Sequence, residues 1–226
     1  MAVSGRLAGR LGLLAAAVML AGCQPAPRLV LRDLPVDSIL EARAAPSPRP
    51  AARAERQVAR AGPREWEPQA YPRPWRWIVI HHSATETGSA ESFDRMHRAR
   101  GWDEMGYHFV ITNGQGGADG QVQVGSRWTK QKWGAHCKTA GNDYNNYGIG
   151  VCVVGNFSDR LPSRAQLASL GRLVGFLMDR YRIAASEVIG HRDAPGTATE
   201  CPGDALHRYL HQVLRPHLER QLARSQ

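Results

Sequence analysis

The sequence predicts an α/β fold, with a single domain in which helices flank one central mixed β-sheet. Short apolar runs at 77–80 and 149–154 have the length of buried strands. Between and after them lie amphipathic segments, the clearest of which follows Ser163 and repeats apolar residues every three or four positions. Strands interleaved with helices are typical of α/β domains built around one sheet.

Turn and cap residues mark where the predicted helices and strands begin and end. Ser163 is a good helix N-cap, the Gly-rich stretch 113–120 separates two strands of a hairpin-like unit, and Pro216 is expected to kink or end the last helix. The predicted elements are strand 75–82, helix 89–100, strand 106–112, strand 121–124, strand 149–154, the helix after Ser163, strand 187–190 and a helix from 204 onward.

The beginning of the chain is predicted to be a leader and a tether. Arg6 and Arg10 precede the apolar run 11–20, which is too short to span a bilayer and is typical of a secretory signal peptide. The run ends in Leu20-Ala21-Gly22-Cys23, which resembles a bacterial lipoprotein processing site. That resemblance implies cleavage after residue 22, lipidation of Cys23, and a membrane anchor facing the periplasm, with the outer membrane as the expected location. The alternative is an ordinary exported protein.

A tether and one folded domain follow the leader. Residues 23–74 are rich in Pro, Ala and Arg and are predicted to be a disordered tether. The domain is expected over 75–220.

The positive net charge does not indicate a nucleic-acid partner. Of the formal charge of +9, most lies before residue 77, where 12 Lys and Arg stand against 6 Asp and Glu. Residues 77–226 hold 17 against 14. A nucleic-acid-binding domain would concentrate basic residues on its folded part, so binding to nucleic acid is not expected.

Two segments carry side chains suited to zinc. A predicted strand ends in His81 and His82, and a loop stiffened by prolines joins His191 to Cys201. Imidazole and thiolate bind zinc, and three protein ligands with one open position make a catalytic site. Because neighbouring strand residues point to opposite faces, His81 and His82 cannot both address one site.

The other cysteines leave alternatives open. Without Cys23 the chain holds an odd number, Cys137, Cys152 and Cys201. Cys137 and Cys152 either pair or remain free, and in a third reading Cys137 is a fourth ligand that makes the zinc structural.

Several short motifs occur in order along the chain. They are His81-His82-Ser83-Ala84-Thr85, Gly101-Trp102, Gly106-Tyr107-His108-Phe109, Gly134-Ala135-His136, Tyr147-Gly148-Ile149-Gly150-Val151 and the segment from His191 to Cys201. In this order the set resembles one family, the type 2 N-acetylmuramoyl-L-alanine amidases, which include phage T7 lysozyme-like amidases and peptidoglycan recognition proteins.

The resemblance implies a zinc site and a reaction. It assigns the metal to His81, His191 and Cys201, and it places Tyr107 at the family's catalytic tyrosine. Thr199 stands where phage members have lysine, and it is expected to donate a hydrogen bond to the oxyanion. The implied reaction is hydrolysis of the amide between N-acetylmuramic acid and the L-alanine of the stem peptide, with peptidoglycan or muropeptides as substrate.

Further residues are candidates for substrate contact or for support. His136 is expected at the rim of the cleft, and Asn145, Asn146 and Trp128 are candidates for the wall of the groove. Arg192 and Asp193 are expected to brace the loop that carries the ligands. The protein is expected to be a monomer. The alternative to an enzyme is a module that binds muropeptide without cutting it.

Overall fold

The structure is a computed structural model that describes residues 62–224. The predicted signal peptide 1–22, the lipidation site Cys23 and residues 24–61 of the predicted tether lie outside the described residues. Within 62–224, no helix has both the length and the apolar character that crossing a bilayer requires.

A five-stranded mixed sheet forms the centre of the fold, which confirms the predicted α/β class. In spatial order the strands run β3-β2-β4-β1-β5; β2 and β3 are antiparallel, and the other neighbours are parallel. The strands are β1 (Trp77–His82), β2 (Phe109–Ile111), β3 (Val122–Val124), β4 (Gly148–Val153) and β5 (Val188–Gly190).

Helices follow the strands and cover the sheet. Short 3-10 turns lie at Arg64–Trp66, Ala185–Glu187 and His191–Asp193, and a π-helical segment lies at Leu210–Leu214. The α-helices are α1 (Ala90–Ala99), α2 (Ser126–Thr129), α3 (Asp143–Asn146), α4 (Arg164–Tyr181), α5 (Asp204–Tyr209) and α6 (Arg215–Ala223).

Helix α4 begins where the sequence predicts. The Ser163 hydroxyl accepts from the Gln166 N–H at 3.0 Å, and the Gln166 amide oxygen accepts from the Ser163 N–H at 3.1 Å. The Gln166 side chain also donates to the carbonyls of Ile111 and Val154. This residue therefore caps the helix and fastens its first turn to the ends of β2 and β4.

The folded part of the chain begins earlier than predicted. Trp66, inside the predicted tether, is only 4% exposed, and its ring lies 5.6 Å from that of Phe176. Its carbonyl accepts from the indole N–H of Trp128 at 2.7 Å. Residues 62–74 are thus not a disordered tether, because one aromatic side chain anchors a segment that has no apolar periodicity of its own.

Pro216 does not end the last helix, contrary to one of the two predicted outcomes. The π-helical segment directly precedes α6, and Pro216 lies in the first turn of α6. Proline cannot donate the main-chain hydrogen bond of a regular helix, and a wider turn ahead of it is one way to accommodate the ring.

Candidate metal centre

The three predicted ligands lie together at one end of the sheet. Strands β1 and β5 are parallel neighbours in which Ile80 is paired with Gly190. The next residues along these strands, His81 and His191, therefore lie side by side, and their ring centroids are 4.6 Å apart. The loop after β5 returns to bring Cys201 to the same point, so that one ligand atom from each residue lies within 4.8 Å of the others.

The spacing of these atoms fits zinc. The Cys201 Sγ atom lies 3.6 Å from the His81 Nδ1 atom. Zinc bonds of about 2.0 Å to nitrogen and about 2.3 Å to sulfur, at a tetrahedral angle, place the two ligand atoms about 3.5 Å apart, close to the observed distance. The donor set of two imidazoles and one thiol is also one that zinc prefers.

Burial keeps the two imidazoles neutral, as metal binding requires. Desolvation, reinforced by the neighbouring His136 and His191 rings, lowers the pKa of His81 well below its ordinary value of 6.5. Desolvation also lowers the pKa of His191.

The Cys201 sulfur needs a cation to become a thiolate. Burial raises the pKa of Cys201 to about 12, although the main-chain N–H of His82, 3.4 Å from the sulfur, works in the opposite direction. This sulfur therefore keeps its proton at neutral pH unless a bound cation displaces it.

The imidazole of His82 is not among the side chains that converge with His81, His191 and Cys201. The Phe157 N–H donates to its Nδ1 atom at 3.4 Å, and its ring lies 6.3 Å from the Phe157 ring. The alternation of strand side chains thus separates the two adjacent histidines, as the sequence predicts.

Asp193 braces the loop that carries His191 and Cys201, as the sequence predicts. Its carboxylate accepts from the Gly190 N–H at 2.8 Å and lies 2.7 Å from His207 Nε2 and 2.9 Å from His211 Nε2. A tetrahedral zinc would hold a nitrogen and an oxygen ligand about 3.3 Å apart. The shorter distances are those of hydrogen bonds, which tie the loop to α5 and to the π-helical segment.

Tyr107 stands beside the ligands. Its ring centroid lies 5.2 Å from that of His81. Desolvation raises the pKa of Tyr107 well above 10, helped by the sulfur atoms of Cys152 and Cys201. The phenol is therefore a hydrogen-bond donor at neutral pH and not a base.

Thr199 is half-buried on the loop that joins His191 to Cys201. Its hydroxyl oxygen accepts from the Cys201 N–H at 3.2 Å, which supports the loop next to the sulfur. Its predicted role as a donor to the oxyanion stays a prediction.

His136 is not at the rim of the cleft. It is only 8% exposed, and its Nδ1 atom lies 3.0 Å from the His81 Nε2 atom. The Asn145 side chain, a predicted groove residue, accepts from the main-chain N–H groups of His136 and Cys137, both at 2.8 Å. Asn145 therefore shapes the loop that carries His136, a role that no local sequence signal indicates.

Two other predicted groove residues lie elsewhere. Asn146 sits before the amino-terminal end of β4, where its carbonyl accepts from the Arg73 guanidinium at 3.0 Å. Trp128 is fully buried against Phe109 and Trp75, so it cannot line a groove.

Cys137 and Cys152 are buried free thiols, which decides between the two states that the sequence left open. Cys137 packs with Val79 and Ala194 in an apolar cluster. Among residues 62–224, the metal-ligand group that contains Cys201 includes no fourth protein ligand, so the structure does not support a structural zinc held by Cys137.

Comparisons with known proteins agree with this geometry. The family model described as N-acetylmuramoyl-L-alanine amidase matches residues 71–204. The chain is 32% identical over 169 residues to the N-acetylmuramoyl-L-alanine amidase of Sus scrofa, covering 66% of this chain but only 25% of that protein. It is also 32% identical to peptidoglycan recognition protein 1 of Bos indicus, covering 65% of this chain and 75% of that one.

A solved structure shows the same fold. The N-acetylmuramoyl-L-alanine amidase LysC from Clostridium intestinale URNW superimposes with a TM-score of 0.53 at 26% identity, covering 70% of this chain and 91% of that chain.

Proposed function

Because this chain belongs to the N-acetylmuramoyl-L-alanine amidase family, we propose that it is a zinc-dependent peptidoglycan amidase. The proposed reaction is hydrolysis of the amide bond between N-acetylmuramic acid and the L-alanine of the stem peptide. The proposed substrates are peptidoglycan or its muropeptides.

One observation carries the proposal: the ligand atoms of His81, His191 and Cys201 converge within 4.8 Å of one another, and the distance from His81 to Cys201 is that of two ligands of a tetrahedral zinc. Three protein ligands leave one coordination position open, which is the arrangement of catalytic and not of structural zinc. The names of the amidase relatives support the choice of reaction.

His81, His191 and Cys201 would hold the zinc ion. When bound, zinc supplies a Lewis acid that polarises the scissile carbonyl and activates water. The neutral imidazoles of His81 and His191 would hold it, together with the Cys201 sulfur.

Tyr107 supplies a hydrogen bond in the proposed mechanism. Its burial keeps the hydroxyl protonated, so it donates to the oxygen on which negative charge develops. Thr199, next to the sulfur ligand, is the proposed second donor. Neither side chain brings a positive charge, so both act on the developing charge through hydrogen bonds alone.

Cysteine-to-serine substitutions at two positions test the zinc site. Cys201→Ser should lose zinc and cleavage, whereas the matched control Cys137→Ser should keep both, since Cys137 lies outside the ligand group. Zinc content is measured by metal analysis, and cleavage by mass spectrometry of the stem peptide released from a defined muropeptide.

Three results would contradict the proposal. A Cys201→Ser protein that still cleaves with metal bound would remove Cys201 from the ligand set. Loss of zinc in Cys137→Ser at unchanged folding would indicate a structural site. No release of stem peptide by the zinc-loaded wild type would indicate a module that only binds.

A further inference from the structure

His136 connects a metal ligand to the main chain of the sheet. Its two ring nitrogens lie on opposite sides: Nδ1 is 3.0 Å from the His81 Nε2 atom, and Nε2 is 3.2 Å from the Gly148 carbonyl oxygen. Both imidazoles are buried, with His81 1% exposed and His136 8% exposed.

The Gly148 carbonyl determines which atoms donate and which accept along this row of hydrogen bonds. A carbonyl oxygen only accepts, so the His136 Nε2 atom must carry a hydrogen and donate to Gly148. In a neutral imidazole the other nitrogen then has a lone pair, so the His136 Nδ1 atom accepts from His81. The His81 hydrogen is therefore on Nε2, and its Nδ1 atom, which faces Cys201, has a free lone pair.

Glycines leave the space that this ring occupies. A Cβ atom on Gly150 would lie 2.4 Å from the His136 Cδ2 atom, and one on Gly134 would lie 2.3 Å from the same atom. Either methyl group would displace the imidazole. The Asn145 side chain fixes the main chain of His136 from the other side, through the N–H groups of residues 136 and 137.

We propose that His136 is a positioning residue that fixes the tautomer and orientation of His81, so that the Nδ1 lone pair is presented to the metal. Partners of this kind raise the affinity of a ligand for its ion because no ring rotation or proton shift is needed on binding. The proposal rests on the proposed function only in taking His81 as a zinc ligand. It replaces the substrate contact that the sequence predicted for this residue.

A matched pair of variants isolates the hydrogen bond. His136→Asn places an oxygen near the position of the Nδ1 atom and can still accept from His81, whereas His136→Leu has a similar size and no acceptor. Both variants leave a similar gap next to Gly148, so their difference reports the acceptor alone.

Two measurements are made on the full chain. Competition with a zinc chelator gives the affinity for the metal alone, and His136→Leu should bind zinc about 10- to 100-fold more weakly than His136→Asn. Long-range proton–nitrogen NMR of the zinc-free wild type should show the His81 hydrogen on Nε2, and His136→Leu should show a mixture of tautomers.

Equal zinc affinities of the two folded variants would overturn the proposal. If His136→Leu does not fold in a thermal melt, the wild-type spectrum decides, because a His81 hydrogen on Nδ1 refutes the arrangement directly. A wild type that shows the Nε2 tautomer and binds zinc but releases no stem peptide would refute the proposed function and leave this inference standing.

Discussion

At Gly150, a single added methyl group should affect both the stability of the domain and its binding of zinc. Gly150→Ala adds one methyl group, whose carbon would lie 2.4 Å from the His136 Cδ2 atom in the centre of β4. Forcing a methyl group into a packed interior costs about 1 to 3 kcal/mol. For a domain of this size, a loss of 1 kcal/mol lowers Tm by about 2 to 4 °C, so a fall of about 2 to 12 °C is expected.

The same substitution at Gly175 is the control. A Cβ atom there meets only Leu218 Cδ2, at an ordinary 3.7 Å, within helix α4. Alanine in a helix interior is favoured over glycine by about 0.5 to 1 kcal/mol, so Gly175→Ala should raise Tm by a few degrees.

The two variants should also differ in zinc binding. Displacing His136 should weaken zinc binding by about 10-fold or more in Gly150→Ala, while Gly175→Ala binds as the wild type does. Thermal melts and chelator competition measure both effects. A Gly150→Ala protein with wild-type Tm and zinc affinity, beside a Gly175→Ala protein that behaves as expected, would refute the close packing of His136 on β4.

Two further predictions concern the tyrosine and the amino-terminal segment. Tyr107→Phe should keep zinc but lower kcat by about 10-fold or more, because one hydrogen bond to the developing charge is lost; an unchanged kcat in a muropeptide assay would remove Tyr107 from the mechanism. Trp66→Ala should destabilise the domain by about 3 kcal/mol or more, because a buried aromatic ring is removed. A Tm equal to that of the wild type would show that the segment before β1 contributes nothing to folding.

The convergence of the three proposed ligands could be predicted in part from the sequence, because the placement of two of them depends on regular geometry. His81 lies near the end of one apolar strand and His191 follows another, and parallel strands bring such ends to one edge of a sheet. The alternation of strand side chains allows only one of His81 and His82 at the site, and the resemblance to a known family selected His81. The return of Cys201 came from the resemblance of the loop to a known family and not from geometry.

The surroundings of the ligands could not be predicted in this way. The place of His136 depends on Gly134, Asn145 and Gly150, which belong to a loop, to α3 and to β4, and no periodic pattern in the sequence links them. Tryptophan is a residue type suited to a binding groove, yet the indole ring of Trp128 is buried in the core and its N–H donates to the Trp66 carbonyl. Such placements depend on how loops pack, which local periodicity does not encode.

The hydrogen bond from the His82 N–H to the Cys201 sulfur has a consequence for sequence variation. A peptide N–H is present in every residue except proline. Position 82 can therefore exchange its imidazole for many other side chains while still stabilising negative charge on the sulfur. A proline there would remove that donor while the sequence of the three proposed ligands stays unchanged, so its effect would not be recognised from the ligand residues alone.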